Sequence, residues 1–167
     1  GFMDKKEALK IVKKDGRELE KLSTHFKKDR KIVLEAVNSK SKGFGYGLPL
    51  KYADKSLRKD RQIVLVAVKR HGGALEYADK IFRKDRGVVL TAVKNWGYAL
   101  KYVHNSFKKD REIVLTAIKS KSKMFKYGDC IKYADESLRK DRKLVLAAVK
   151  SNGFALEYVN EIFRKDR

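Results

Sequence analysis

Basic side chains recur at fixed positions around the tripeptide Lys-Asp-Arg, which occurs six times in this 167-residue chain. A Lys or Arg lies two residues before each aspartate, a Lys directly before it and an Arg directly after it. In most copies another Lys is the ninth residue after the aspartate. Cations repeated in this way can bind phosphates, Arg as a planar fork and Lys as a point charge. The aspartates are Asp29, Asp60, Asp85, Asp110, Asp141 and Asp166.

The candidate phosphate-binding residues form three groups. The lysines nine residues after an aspartate are Lys69, Lys94, Lys119 and Lys150. The arginines directly after an aspartate are Arg61, Arg86, Arg111 and Arg142. The residues of the loops that follow are Lys40, Lys42, Arg70, His71, Asn95, Trp96, Lys121, Lys123 and Asn152. Lysine is rarely needed for packing, so we expect the lysines to face a ligand. For the arginines a structural role is equally well supported, namely a ladder in which each pairs with the next aspartate.

Aromatic residues accompany the loop lysines. They can stack on bases, or they can pack on the neighbouring repeat. We favour packing for the phenylalanines and leave both roles open for Trp96 and the loop tyrosines. A separate tyrosine column is too regular to be a site and is expected to be half-buried framework. The loop aromatics are Trp96, Phe44, Tyr46, Phe125 and Tyr127, and the column is Tyr52, Tyr77, Tyr102, Tyr133 and Tyr158.

Some positions vary while the framework repeats. The second residue after the aspartate and the residue four further on are expected on the helix face opposite the apolar one. They are a candidate recognition surface, unless exposed positions have simply drifted. These residues are Lys31, Gln62, Gly87, Glu112 and Lys143, and Glu35, Val66, Thr91, Thr116 and Ala147.

A pair of short helices is predicted to position these residues. After Asp60, a suitable N-cap, the apolar residues Ile63, Val64, Ala67 and Val68 have helical spacing. Gly72-Gly73 predicts the end of this helix, and residues 74–84 predict a second one. Helices of this length are not stable alone, so neighbouring pairs must stack. The sequence therefore predicts an all-α solenoid.

The predicted array consists of six to seven helix-pair repeats and occupies residues 1–167 as one domain. Successive aspartates are 31, 25, 25, 31 and 25 residues apart. The extra residues fall near 39–47 and 120–128, where they either lengthen the first helix or enlarge the loop. We expect the array to be a fragment of a longer one.

The segments Lys59–Val68 and Lys140–Val149 resemble a family of short tandem repeats catalogued as a domain of unknown function. That resemblance covers nearly the whole chain and implies an α-helical array without implying an activity. Residues 66–76 are also similar in layout to TAL-effector DNA-binding repeats, in which one residue of each loop pair contacts a base in the major groove. The present unit is shorter, so this similarity implies only a slight preference for duplex DNA.

The charge balance favours an anionic partner. The chain has 42 Lys and Arg against 21 Asp and Glu, a formal charge of +21, which repels itself in a compact fold. Copying a basic repeat also accounts for this charge. We favour a non-enzymatic scaffold that binds nucleic acid, duplex DNA ahead of RNA. An acidic protein is the main alternative, and an anionic membrane surface is a third.

Catalysis has little support in the sequence. His25, His71 and His104 occupy different repeat positions, and no known catalytic or nucleotide-binding motif is present. Cys130 is the single cysteine, so neither an intrachain disulfide nor a thiolate metal site is expected. We expect no cofactor. The absence of a signal peptide or an apolar span in the sequence favours an intracellular location.

Overall fold

A computed structural model describes residues 2–40, 48–120 and 130–151. Its α-helices are α1 (Lys5–Lys14), α2 (Thr24–Lys27), α3 (Arg30–Asn38), α4 (Arg61–Arg70), α5 (Arg86–Asn95), α6 (Asn105–Lys108), α7 (Arg111–Ile118), α8 (Glu136–Arg139) and α9 (Arg142–Ser151). Its 3₁₀ helices are η1 (Gly16–Lys21), η2 (Pro49–Tyr52), η3 (Leu57–Lys59), η4 (Gly72–Glu76), η5 (Lys80–Lys84), η6 (Gly97–Tyr102) and η7 (Cys130–Tyr133). No strand occurs in these residues, and the predicted all-α class is confirmed.

Each described Lys-Asp-Arg aspartate, from Asp29 to Asp141, caps the helix that follows it. The Asp85 carboxylate accepts a hydrogen bond from the amide of Val88 at 3.1 Å. Asp60 and Asp110 make the same contact to residues three further on, also at 3.1 Å. A cap of this kind contributes about 1 kcal/mol, so these aspartates fix where the long helices begin. The N-cap prediction is confirmed.

The long helices α1, α3, α4, α5, α7 and α9 form one layer in which each packs against the next. The second layer consists of the short helices, and η4 for example contacts both α4 and α5. The predicted apolar residues of α4 are all buried: Ile63, Val64, Ala67 and Val68. The core therefore lies between the two layers and runs along the array, as expected for a stacked repeat.

The predicted second helix of each repeat is not continuous, which corrects that part of the prediction. In the repeat that contains α4, it is split into η4 and η5 at Asp79. The amide of Asp79 donates to the carbonyl of Arg58 in the preceding repeat at 3.0 Å. Because this amide bonds to another repeat, it cannot continue its own helix. Its carboxylate instead caps η5 by accepting from the amide of Ile81.

The same bond between repeats recurs along the array. Asp54, His104 and Asp135 donate their amides to the carbonyls of Lys27, Arg83 and Lys108 at 3.0, 2.9 and 2.9 Å. These splits keep the apolar face intact, since Leu75, Ala78 and Phe82 are all buried on either side of Asp79. Each repeat before α9 is thus one long helix followed by two short ones in the described residues.

The first glycine after each loop touches the long helix of the next repeat. A Cβ added at Gly97 would lie 2.3 Å from the carbonyl oxygen of Ala117, and one at Gly72 equally close to that of Ala92. No other residue fits at this distance without a backbone shift. These glycines therefore set how closely adjacent repeats approach.

The six-residue insertions do not lengthen the first helix of their repeats. Helix α3 ends at Asn38 and α7 ends at Ile118, so neither is longer than α4. Most inserted residues, including Phe44, Tyr46, Phe125 and Tyr127, lie outside the described residues. No helix in the described ranges is both long and apolar enough to cross a membrane.

Candidate functional site

The layer of long helices has two distinct edges. The first residue of one long helix contacts the N-cap aspartate of the next, so the long helices begin side by side and run in the same direction. We call the edge formed by the Lys-Asp-Arg turns the aspartate edge. The opposite edge, formed by the last helical turns and the loops up to the next glycine, is the glycine edge. A helix of ten residues separates them by about 15 Å.

At the aspartate edge the arginines form a ladder with the aspartates of the next repeat. Arg61 Nε lies 2.8 Å from Asp85 Oδ2, and Arg111 Nη2 lies 2.8 Å from Asp141 Oδ1. The remaining rungs are Arg30 to Asp60 and Arg86 to Asp110, with Lys5 to Asp29 at the start. These four arginines therefore pair with the next aspartate, which is the structural role considered for them in the sequence analysis. The possible partner of Arg142, Asp166, lies outside the described residues.

The ladder keeps its carboxylates ionised. The hydrogen bond from Arg61 is the main influence that holds the pKa of Asp85 below its ordinary value, against the effect of partial burial. The amide of Val88 acts in the same direction. The carboxylate in turn raises the pKa of Arg61. Each of these arginine charges is thus balanced locally, although solvent screens pairs at the surface.

One of the variable positions belongs to this ladder. The second residue after the aspartate supplies an extra acceptor in two repeats: Gln62 accepts from Arg30, and Glu112 accepts from Arg86. In the repeat between them this position is Gly87, where an added Cβ would lie 2.9 Å from Arg61 Nη2. The variable residues at this position therefore change the surroundings of each arginine.

The glycine edge carries a row of exposed lysines. We call Lys69, Lys94, Lys119 and Lys150 the lysine row. Among the described residues, none of the four makes an ion pair or a side-chain hydrogen bond. Lysines near a helix C-terminus also interact favourably with the helix dipole, by about 0.3–1 kcal/mol. That interaction leaves the ammonium groups in water and available to an anion.

Carboxylates are absent from the sequence around this row. No Asp or Glu lies between Asp60 and Glu76, or between Asp85 and Asp110. The same is true between Asp141 and Glu157. Each of these intervals contains one lysine of the row. The ladder arginines Arg61 and Arg86 lie in the same intervals but directly follow an aspartate, whereas each lysine of the row is at least seven residues from any Asp or Glu. Distance along the sequence from the nearest carboxylate is the signal that separates the two groups.

Several predicted loop residues instead join adjacent repeats. Asn95 accepts a hydrogen bond from the amide of Gly72 at 2.6 Å and donates to the carbonyl of Lys69 at 3.1 Å. Arg70 donates from Nε and Nη2 to Asn38 Oδ1 at 3.2 and 3.0 Å. Asn95 therefore uses both its oxygen and its nitrogen within the array, and Arg70 is held there by two of its three guanidinium nitrogens.

Sequence reasoning missed two residues with the role of Asn95. The hydroxyls of Ser39 and Ser120 accept hydrogen bonds from the amides of Gly16 and Gly97, both at 2.9 Å. They occupy the same repeat position as Asn95, the tenth after the aspartate. A repeated hydrogen-bond acceptor there is the signal that would have identified them.

The Trp96 indole packs within the array. It is half-buried, and a Cβ added at Gly73 would lie 3.0 Å from its Cζ3. It also stacks on Tyr98, with ring centroids 5.6 Å apart and planes 22° apart. Of the two roles considered for Trp96, packing and base stacking, the structure has packing.

His71 occupies the same repeat position as Trp96 and is exposed. Partial desolvation of its ring and the charge of Arg70 lower the pKa of His71.

The described members of the tyrosine column are half-buried framework, as predicted, whereas Tyr158 lies outside the described residues. Tyr52, Tyr77, Tyr102 and Tyr133 all have intermediate exposure. The Tyr102 hydroxyl donates to Glu76 at 3.0 Å, and burial together with this carboxylate raises the pKa of Tyr102. Lys51 Nζ lies 5.7 Å from the ring centroid of Tyr77. These contacts link one repeat to the next on the layer of short helices.

Most of the remaining predicted phosphate-binding residues lie outside the described part of the chain. Lys42, Lys121, Lys123 and Asn152 fall in residues that the structure does not describe, whereas Lys40 is described and exposed. Within the described ranges, no three or more His, Cys, Asp or Glu side chains gather as a metal site would require.

The repeated architecture agrees with the family to which the chain is similar. Four stretches, residues 4–46, 44–83, 85–129 and 123–164, match the family described as Domain of unknown function (DUF4116). No curated protein and no solved structure matches the chain. The four matches together span nearly all of the sequence, and the chain therefore belongs to the DUF4116 family, as a tandem array of its repeats.

Proposed function

We propose that this array is a non-enzymatic scaffold that binds nucleic acid, duplex DNA ahead of RNA, through the lysine row. The observation that supports the proposal is the separation of charge between the two edges. The ladder arginines at the aspartate edge have carboxylate partners, whereas the exposed ammonium groups of the lysine row have none among the residues that the structure describes. A row of unpaired cations is attracted to a chain of phosphates and releases its condensed counterions.

The spacing of the row is compatible with a phosphate backbone. Packed helices lie about 8–10 Å apart, so each repeat advances the row by about that distance. One strand of duplex DNA carries a phosphate about every 3.4 Å along the helix axis. Each lysine would then meet roughly every third phosphate. Long, flexible lysine side chains tolerate a mismatch in this spacing better than a planar guanidinium would.

The apolar surface gives little support to protein docking. In the described part of the chain, the exposed large hydrophobic residues are Phe2, Met3, Ile81 and Leu146. They are scattered along the sequence, and single exposed hydrophobic residues are ordinary for a protein surface. Charge is therefore the stronger basis for an interaction. An acidic protein remains an alternative outcome of the experiment below.

Two quadruple variants with the same loss of charge test the proposal. One changes the lysine row: Lys69→Gln, Lys94→Gln, Lys119→Gln and Lys150→Gln. The other changes exposed lysines directly before the aspartates: Lys28→Gln, Lys59→Gln, Lys84→Gln and Lys109→Gln. Binding to a labelled duplex and to a structured RNA is measured by fluorescence anisotropy at two salt concentrations, and circular dichroism checks that both variants are folded.

The lysine-row variant should bind duplex DNA on the order of 100-fold more weakly at low salt, with a salt slope lower by about 4. The aspartate-edge variant should lose about tenfold or less, because it loses only long-range attraction. Equal losses would mean that total charge, and not the row, governs binding. Binding that does not depend on salt, or binding of acidic polypeptides in place of nucleic acid, would refute the proposal.

A further inference from the structure

We infer that the lysine row recognises the phosphate chain alone and accepts linear polymers of phosphate groups without selecting bases. The inference rests on the proposed function and specifies what part of the ligand is bound. It contrasts with base recognition by loop residues, which the layout similarity to DNA-binding repeats suggests. The evidence is the way in which the described loop side chains at the glycine edge are already engaged.

The described side chains best suited to read bases are tied to the framework. Recognition of a base edge typically uses the paired donors and acceptors of Arg, Asn or Gln. Arg70 spends two guanidinium nitrogens on Asn38. Asn95 uses its carbonyl oxygen on Gly72 and its amide nitrogen on Lys69. If either turned towards a base, contacts between adjacent repeats would break, and a buried amide would lose its acceptor.

Stacking on a base is obstructed in the same way. The Trp96 ring lies against Gly73 and stacks on Tyr98. Tyr98 is in turn engaged by the edge of the Tyr133 ring, with centroids 5.6 Å apart. A base that stacked on the indole would have to displace one of these neighbours. The aromatic residues thus hold two repeats together, and they do not present an open platform.

The remaining side chains, the lysines of the row, offer charge but no fixed arrangement of hydrogen-bond donors. An ammonium group is a compact point charge with rotatable donors, which suits a phosphate oxygen in any orientation. Contacts to phosphate fix the position of a protein on a nucleic acid but carry no sequence information. The ligand class that follows is a linear polyanion of phosphates. A nucleic-acid backbone and inorganic polyphosphate share this chemistry.

A competition experiment tests the inference on the intact chain. Two duplexes of the same length but unrelated sequence are titrated separately, and linear inorganic polyphosphate then competes against each. The two duplexes should bind with dissociation constants within about threefold of each other, less than one good base contact would discriminate. Polyphosphate should displace both, and it should bind the lysine-row variant on the order of 100-fold more weakly.

The variant Asn95→Ser provides a matched control. Serine occupies this repeat position at Ser39 and Ser120, where it keeps the bond to the glycine amide. We expect this variant to bind both duplexes as the parent does. A preference of more than about tenfold for one duplex, or one that disappears in Asn95→Ser, would overturn the inference and leave the proposed function standing. Failure of polyphosphate to compete would do the same, whereas failure of every nucleic acid to bind would overturn the proposed function itself.

Discussion

At the aspartate edge, neighbouring repeats are joined by charged side chains at the surface. At the glycine edge they are joined by backbone contact and by uncharged acceptors, Asn95, Ser39 and Ser120. The first kind of joint requires an equal number of cations and anions. The second requires no carboxylate, since even Arg70 bonds to the uncharged Asn38. Within the described residues the lysines of the row therefore have no ion-pair partner. The comparison shows that a repeat can acquire a charged surface when its structural ion pairs are confined to the opposite edge.

Acid should have the largest effect on the stability of the fold, because it protonates all the aspartates of the ladder at once. The bonds from the arginines hold the pKa of Asp60, Asp85 and Asp110 below the ordinary value of about 4. A carboxyl whose pKa is lowered by folding stabilises the fold above its unfolded pKa. That stability is lost as the pH falls through the folded value.

Chemical denaturation at a series of pH values measures this effect. Apart from the contribution of His71, the midpoint should vary little from neutral pH to about pH 5 and then fall below about pH 4. His71 also has a lowered pKa, so its protonation reduces stability at a higher pH. The variant His71→Gln removes this second titration. A midpoint that stays constant as the carboxyls are protonated would show that the ladder does not stabilise the fold.

A methyl group at the glycine edge should be the most damaging single change. In Gly97→Ala the added Cβ would lie 2.3 Å from the carbonyl oxygen of Ala117, so the two repeats must separate. We expect a loss of about 3 kcal/mol, at the upper end for overpacking. Gly87→Ala is the matched control at the aspartate edge, because its Cβ would meet only the ends of side chains, Arg61 Nη2 at 2.9 Å and Asp85 Oδ1 at 3.4 Å. Equal losses in denaturation would show that the two edges tolerate crowding alike.

Removal of one N-cap should have a smaller effect. Asp110→Ala loses both the bond to the Ile113 amide and the ion pair with Arg86, and we expect a cost of about 1–2 kcal/mol. Asp110→Asn retains a capping oxygen and should cost less than half as much. Denaturation midpoints compare the two variants. If Asn proved as costly as Ala, the ion pair and not the cap would dominate this joint.

The smallest expected effect is a difference in stability between variants of two ladder arginines that have different numbers of acidic partners. Arg86 pairs with both Asp110 and Glu112, whereas Arg61 has Asp85 and faces Gly87. We therefore expect Arg86→Gln to be more destabilising than Arg61→Gln, and both to be milder than Asp110→Ala. A double-mutant cycle of Arg86→Gln with Glu112→Gln isolates the extra contact. If the two single variants were equivalent, the variable position would have no part in stability.

Much of the fold could be predicted from residues that recur at the same position of successive repeats. The aspartate caps, the buried positions of the long helices and the tyrosine framework all have a local sequence signal. The split in the second helix was missed because it depends on a bond to another repeat. A signal was nevertheless present, since a residue able to cap a helix recurs six positions before each Lys-Asp-Arg aspartate: Ser23, Asp54, Asp79, His104, Asp135 and Asn160.

The candidate site was less predictable from sequence. From their charge alone, the ladder arginines and the lysine row were both predicted to bind phosphate, although they lie at opposite edges of the layer. The engagement of Asn95, Arg70 and Trp96 depends on how closely repeats approach, which the sequence does not give directly. The distance of each cation from the nearest Asp or Glu along the sequence would have distinguished the two groups, since Arg61 and Arg86 directly follow an aspartate and the lysines of the row do not.

The bond from Asp79 to Arg58 has a consequence for how such a protein can change in length. The preceding repeat already supplies the carbonyl that the next one needs, and each repeat supplies another in its turn. A duplicated segment that contains both groups would therefore find its acceptor in place without any compensating substitution. Tandem duplication can then lengthen the array in single-repeat steps, and each added repeat depends on its predecessor for its fold.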